Sequence, residues 1–484
     1  MISFSFSSLG SVWPEIFLAL SAMTLLLVGV WRGDDGTLML CKSSMAAFSV
    51  TALFLLGVNW GGGTTLNGMF VIDQFSGLMN LFVLLGLIAV TALSGNYLQQ
   101  EGMARFEYPI LIMFAGLGMM LMVSAHSLLS MYMGLELQSL SLYVLAAFRR
   151  NHLKSSEAGL KYFVLGALAS GMLLFGISLV YGYTGAIDFT AIGMKLDSAG
   201  GVPGVGLVIG LVFILIGMAF KVSAVPFHMW TPDVYEGAPT SVTALFAIVP
   251  KVAAMALLMR LLFGPFEAAL PQWTQIIWFL SLASMGVGAF AGLAQKNIKR
   301  LMAYSSIGNM GYALVGVASG TIEGVGAVLV YLAIYMVMTA GVFGIILSMR
   351  CRGKAYEEIE DLSGLSRTSP LMAWALAFLM FSMSGIPPLA GFFGKLFVFQ
   401  AAVAAHMYVL AVAGLLCSVV AAFYYLRVIK VMFFDDPVDS FDRDISFSMR
   451  AVIFLSVLFT LLFILSPDLL VVTCREAATA LFAG

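Results

Sequence analysis

Long apolar runs separated by short polar breaks cover almost the whole chain. A run of about 20 residues is enough to cross the hydrocarbon core of a bilayer as a helix. The pattern predicts fourteen such helices, near 12–31, 41–60, 72–95, 108–124, 126–148, 157–184, 204–236, 239–262, 272–294, 299–319, 324–349, 370–401, 403–432 and 449–471. No break between them is long enough to hold a soluble domain; the longest polar stretches are 350–369 and 433–448. No basic stretch precedes the first apolar run, which therefore reads as an uncleaved helix. The expected class is an all-α polytopic membrane protein.

Composition agrees and narrows the choice. Of 484 residues, 61% are apolar and 10% charged, against roughly 25% charged in an average soluble domain. A disordered chain, a secreted disulfide scaffold and a nucleic-acid binder are excluded. The four cysteines are far apart with no CxxC spacing, so no zinc or iron–sulfur site is written in them. There is no Walker motif, no convincing dinucleotide fingerprint and no histidine cluster for haem. Energy for any transport must come from a partner or an ion gradient. Orientation follows from Lys and Arg, which favour the cytoplasmic side. With both ends placed outside, seventeen of the 24 fall on the cytoplasmic side and three opposite.

The remaining four bases, Lys161, Lys221, Lys251 and Lys395, lie inside apolar runs, and Glu136 is the one acid at mid-span. Inserting each costs about 2.5–3.5 kcal/mol on translocon scales, roughly 12–18 kcal/mol for the five. Packing alone does not require that expense. Desolvation makes a lysine release its proton more readily and a carboxyl hold its proton more tightly, whereas a close Glu/Lys pair reverses both effects. Separating such a pair drives a proton off the lysine. The plainer alternative is a static ion pair that fixes helix packing. One acid cannot pair with four lysines on four helices. Lys161 also has a simpler explanation, an i,i+4 pair with Glu157 near the start of its helix.

Two of the lysine helices contain proline. Pro226 follows Lys221 by five residues, and Pro387–Pro388 precede Lys395, with Gly385, Gly391 and Gly394 around them. Interrupted helices at membrane depth mark ion pathways in transporters. These are the seventh and twelfth helices. An odd separation gives corresponding helices opposite directions, so the pattern predicts an inverted repeat of helices four to eight against nine to thirteen. The expected units are an N-terminal three-helix segment (1–107), a first five-helix repeat (108–262), a second (263–432), and a C-terminal loop and helix (433–484). His228, seven residues after Lys221, suits a proton relay or a hydrogen-bonded kink. Tyr304, Ser305, Ser306 and Asn309 form a polar patch on the tenth helix. The patch fits either waters between Lys251 and Lys395 or bonds between helices.

The segments AFKVSAVPFHMWTPDVYEGAPTSVTALFAIVPKVAAM, QKNIKRLMAYSSIGNMGYALVG and FSMSGIPPLAGFFGKLFVF resemble the antiporter-like membrane subunits of respiratory complex I, most closely the N-type branch. The likeness runs over essentially the whole chain. It implies that Glu136 is the acid of the fifth helix and Lys221 its partner. It makes Lys251 the central lysine and Lys395 the terminal one, where M-type subunits carry glutamate. Lys161 then corresponds to a sixth-helix lysine that modulates the Glu/Lys pair, and His228 to the histidine beside the break. The resemblance further implies a proton-translocating subunit of a bacterial inner-membrane NADH–quinone oxidoreductase, with both termini periplasmic. It implies no cofactor in this chain; FMN, iron–sulfur clusters and quinone belong to other subunits. Its implied partners are the M-type subunit, the small subunits toward the quinone site, and lipids, protons and water. The competing readings are a stand-alone cation/proton antiporter component and a purely structural subunit. HMWTPDVYEGAP speaks against the antiporter, because M- and L-type subunits and antiporters usually carry a PxHxWLPDAH-like version.

Overall fold

In the computed structural model, residues 10–58, 60–198, 204–438, 441–442 and 445–483 are described; the first nine residues and Arg443, one of the bases used for orientation, lie outside them. The described chain is helical almost throughout. The helices are α1 (Trp13–Arg32), α2 (Thr37–Gly57), α3 (Gln74–Gln100), α4 (Glu107–Val123), α5 (Leu128–Ala146), α6 (Leu153–Thr184) and a short α7 (Phe189–Ser198). Next come α8 (Val205–Val222), α9 (Trp230–Gly237), α10 (Thr240–Phe263), α11 (Leu270–Leu293), α12 (Ile298–Ala318) and α13 (Ile322–Leu347). The last are α14 (Leu365–Thr368), α15 (Pro370–Ser384), α16 (Ala390–Ala404), α17 (Tyr408–Phe434), α18 (Phe447–Leu462) and α19 (Asp468–Phe482). The chain is an all-α polytopic membrane protein.

Each of the fourteen expected segments falls on helix. Eleven described helices are long and apolar enough to cross a membrane, while α4, α15 and α16 are shorter apolar helices. Among the eleven, α10 lies at the centre with every residue buried, and α13 beside it is nearly as enclosed. Two boundaries differ from expectation. The run at 449–471 is broken: α18 stops at Leu462, and α19 starts at Asp468 after Pro467, whose missing N–H does not continue a helix. The short α7 was not foreseen, because its ten residues are too few for a crossing. Two small hairpins also escape the helical pattern. One pairs β1 (Gly61–Thr65) with β2 (Phe70–Asp73), and the other pairs β3 (Arg350–Cys351) with β4 (Lys354–Ala355). The first is pinned to the loop after α4, where His126 N and Ser130 Oγ both donate to the Met69 carbonyl at 2.8 Å.

Both predicted breaks are present. α8 ends at Ser223, in left-handed backbone (φ 62°), ahead of a cis Val225–Pro226 bond. α15 ends at Gly385 (φ 90°), ahead of a cis Pro387–Pro388 bond. The left-handed residue and the cis proline stand at the same spacing in both, offset by 162 residues (223 to 385, 226 to 388). A second correspondence joins α4/α5 to α11/α12. A Cβ on Gly118 would meet Gln138 N at 2.5 Å and the Gly134 carbonyl at 2.7 Å; one on Gly288 would meet Gly308 N at 2.5 Å and the Tyr304 carbonyl at 2.8 Å. The offset is 170 residues throughout (118 to 288, 134 to 304, 138 to 308), and it also carries the N-cap Ser127 onto the N-cap Asn297. Small residues let membrane helices approach backbone to backbone, and here they do so twice in one register.

Candidate functional site

Three helices bring the central residues together. Along α5, Glu136, Ser139 and Tyr143 stand at i, i+3 and i+7, and so share a face. Lys221, in the last turn of α8, reaches that face. Its Nζ donates to Ser139 Oγ at 2.6 Å, lies 3.5 Å from the Tyr143 hydroxyl, and sits 5.6 Å from the Tyr143 ring centre. Glu136 is one helical turn away and outside ion-pair distance. Its Oε1 is buried without a hydrogen-bond partner. Glu136 also belongs to the outward stripe of α5 marked by the exposed Leu129, Met133, Leu140 and Val144. The Glu/Lys pair is therefore open, with a serine holding the ammonium.

Lys251 is 1% exposed at the middle of α10. Among the described residues, its Nζ finds only the Val222 carbonyl at 3.4 Å and the Tyr235 ring at 5.9 Å. Val222 is the residue after Lys221, at the frayed end of α8, so one break serves both lysines. Pro250 within α10 also frees the Phe246 carbonyl, which lies one turn back. Lys395 uses the second break. Its Nζ donates to the Met383 and Ser384 carbonyls at 3.0 Å and to Ser418 Oγ at 2.8 Å, below the Tyr312 ring at 4.9 Å. The last carbonyls of a helix lack intrahelical donors, and each break turns them toward an ammonium. Among the described residues, no carboxylate pairs with Lys221, Lys251 or Lys395.

The polar patch on α12 divides. Ser305 Oγ meets Tyr425 OH at 2.6 Å, the Tyr335 hydroxyl donates to Ser306 Oγ at 2.8 Å, and the Tyr331 hydroxyl donates to Asn309 Oδ1 at 2.7 Å. This buried ladder links α12, α13 and α17. Tyr304 stands apart from it, only half-buried, with no hydrogen bond from its hydroxyl among the described residues. In the register of the two glycine crossings, Ser306 occupies the place of Glu136 and Asn309 that of Ser139. The second half thus carries neutral groups where the first carries an acid. His228 lies in the stretch after the cis proline, half-buried, with Nδ1 buried and unpartnered.

Lys161 sits elsewhere. It pairs with Glu157, as its spacing predicts, and with Asp233 of α9, both at 2.7 Å. Arg300 at the start of α12 also pairs with Asp233, at 2.8 Å, and with Glu236, at 3.0 Å; Lys154 pairs with Glu236 at 2.9 Å. Glu357, in the polar stretch 350–369, pairs with the buried Lys299 at 2.8 Å. At the opposite end of the bundle, Arg260 makes two bonds to Asp73, at 2.7 and 2.9 Å, with both side chains under 10% exposed. Sequence reading missed these partners. Asp233 and Glu236 were in view within the WTPDVYEG segment, but nothing local names their cations; Asp73 and Arg260 are 187 residues apart.

A family profile described as NADH:quinone oxidoreductase/Mrp antiporter, TM, matches residues 125–421. The chain is 54% identical to NADH-quinone oxidoreductase subunit N of Parvibaculum lavamentivorans, over 97% of this chain and 96% of that one. It is 52% identical to the subunit N of Rhodospirillum rubrum, over 98% and 97%. Among solved structures, a chain of respiratory complex I from Thermus thermophilus is similar with a TM-score of 0.81 at 33% identity, covering 96% of this chain and 99% of that one. A chain of the Mrp complex from Dietzia shares the fold, with a TM-score of 0.84 at 22% identity and 98% coverage of each.

Proposed function

The chain belongs to the NADH:quinone oxidoreductase/Mrp antiporter membrane family, and on that premise we propose that it is a proton-translocating membrane-arm subunit of an NADH–quinone oxidoreductase. The observation that carries this reading is the set of three buried ammoniums. Lys221 is held by hydroxyls, Lys251 by a helix-end carbonyl and Lys395 by both, each beside an aromatic ring, and among the described residues none by a carboxylate. Such a lysine changes its charge readily when a neighbouring charge changes, because no fixed counter-ion holds its proton. Glu136 and Lys221 form the input pair. When they close, Lys221 holds its proton. When they open, it passes charge toward Lys251 through the shared end of α8, and Lys395 at the second break is the terminal carrier. His228 and the Ser305–Asn309 region are secondary, and Tyr304 and Lys161 tune the two ends.

The units follow the repeat: 1–107, 108–262, 263–432 and 433–484, with fourteen crossings and both termini on the periplasmic face of a bacterial inner membrane. The outward face of α5 meets the small subunits on the quinone side, and the opposite end meets an M-type neighbour. Redox cofactors belong to other subunits. Subunit-N relatives at more than 50% identity favour this reading over a stand-alone cation/proton antiporter.

The test is Lys221→Ala in the intact complex. Proton uptake driven by NADH in inverted vesicles and coupled quinone reduction are expected to fall together, with normal assembly. Undiminished pumping in an assembled variant contradicts the proposal.

A further inference from the structure

The segment after the first break is short, and it touches both central lysine sites. α9 spans only Trp230–Gly237. At its start, Trp230 Nε1 donates to the Phe220 carbonyl at 3.1 Å, next to Lys221, and the indole stacks on Tyr162 of α6 at 4.5 Å. One turn on, Tyr235 places its ring against Lys251 while its own hydroxyl is buried and unpartnered. α9 therefore packs beside Lys251 through Tyr235 and, through Phe220, next to Lys221, at the Lys/Arg-rich end of the bundle.

The inner face of α9 is packed through Trp230, Val234 and Tyr235, and its outer face is tied down by ion pairs. Asp233 is shared by Lys161 of α6 and Arg300 of α12; Glu236 is shared by Lys154 of α6 and Arg300. These four pairs are half-exposed rather than sealed, and they surround a cavity of about 150 Å³ that opens at this end. Partly solvated pairs are weak individually, so they exchange partners at small cost, unlike a buried pair. At its end α9 lies directly on α6: a Cβ on Gly237 would meet the Lys154 carbonyl at 2.4 Å. A segment already severed from α8 by the left-handed Ser223 can lift once the ion pairs let go.

We propose that Asp233 and Glu236 latch α9 over the lysine sites, and that release of this latch admits water to Lys221 and Lys251 from the Lys/Arg-rich side. The inference rests on the proposed function above and adds a positioning role that Lys161 and Arg300 share. Asp233 touches neither lysine; it acts through the place of Trp230 and Tyr235.

The experiment uses the assembled complex in inverted vesicles, with cysteines replacing Lys154 and Glu236 and a short, reductively cleavable bifunctional thiol reagent. With α9 tied to α6, NADH-driven proton uptake and coupled quinone reduction fall several-fold. Reductant returns them, in the same preparation, to the level of the cysteine variant before cross-linking, which a folding defect would not allow. Asp233→Asn, which loses both Lys161 and Arg300, lowers the protons taken up per NADH more than Lys161→Met does, and the double variant is no worse than Asp233→Asn, because the Asp233–Lys161 pair is already gone. Full pumping in the cross-linked complex overturns the latch, as does additive loss in the double variant. If Lys221→Ala abolishes pumping while the cross-link leaves it unchanged, the latch alone fails. If Lys221→Ala leaves pumping intact, the reading beneath it fails instead.

Discussion

Lys251→Met separates a functional lysine from a structural one. The two side chains are similar in length and unbranched, so volume is nearly conserved. Lys251 is buried, with one long hydrogen bond, to the Val222 carbonyl at 3.4 Å, and the Tyr235 ring at 5.9 Å. Removing a lysine from mid-span relieves about 2.5–3.5 kcal/mol of insertion cost. Against this, the Val222 carbonyl loses a partner, worth about 0.5–1.5 kcal/mol. The variant is therefore expected to be more stable by about 2 kcal/mol, not less. The assay is the thermal midpoint of complex dissociation on native gels, read beside NADH-driven proton uptake. The expected result is an unchanged or higher midpoint with pumping lost. A complex that falls apart would make Lys251 a packing residue. A stable complex that pumps normally would take it off the proton path.

Three further outcomes follow from the geometry. Arg260→Met strands the buried Asp73 carboxylate and is expected to destabilise the complex by about 3–5 kcal/mol, seen as loss of the native-gel band; Arg260→Met with Asp73→Asn should recover part of it. Gly118→Val and Gly288→Val each drive a side chain into facing backbone at 2.5 Å. Both should block assembly to a similar degree, a comparison readable on the same gels. Ser139→Ala removes the 2.6 Å bond to Lys221, a charge-assisted contact worth about 1.5–3 kcal/mol. It should slow proton uptake roughly tenfold or more while leaving assembly intact.

The apolar runs made the crossing helices legible because a bilayer leaves little choice: backbone groups must bond within their own segment. The breaks were legible for the same reason, since proline and glycine are conspicuous inside an apolar run. Glu136, Lys221, Lys251 and Lys395 stood out by their insertion cost. Their surroundings were harder to read. That Lys221 rests on Ser139 rather than Glu136 depends on side-chain reach between α5 and α8, which no spacing encodes. Lys161 had a local partner in Glu157, but its second partner, Asp233, comes from a segment 72 residues away. The same holds for Lys299 with Glu357, where the polar stretch 350–369 folds back over a buried cation. The first hairpin was hidden by its Gly61–Gly63 opening, and the end of α18 by an apolar run that continues past Leu462 through a different geometry.

The central claim is that the open Glu136/Lys221 pair is part of the pump. Glu136→Gln removes the charge and keeps the shape, so it tests that claim most directly. NADH-driven proton uptake by inverted vesicles is the measurement, normalised to assembled complex on a native gel. The account predicts that uptake falls with assembly unchanged. Uptake equal to that of the unaltered complex would contradict it, and would make the α5 carboxylate a packing or assembly group.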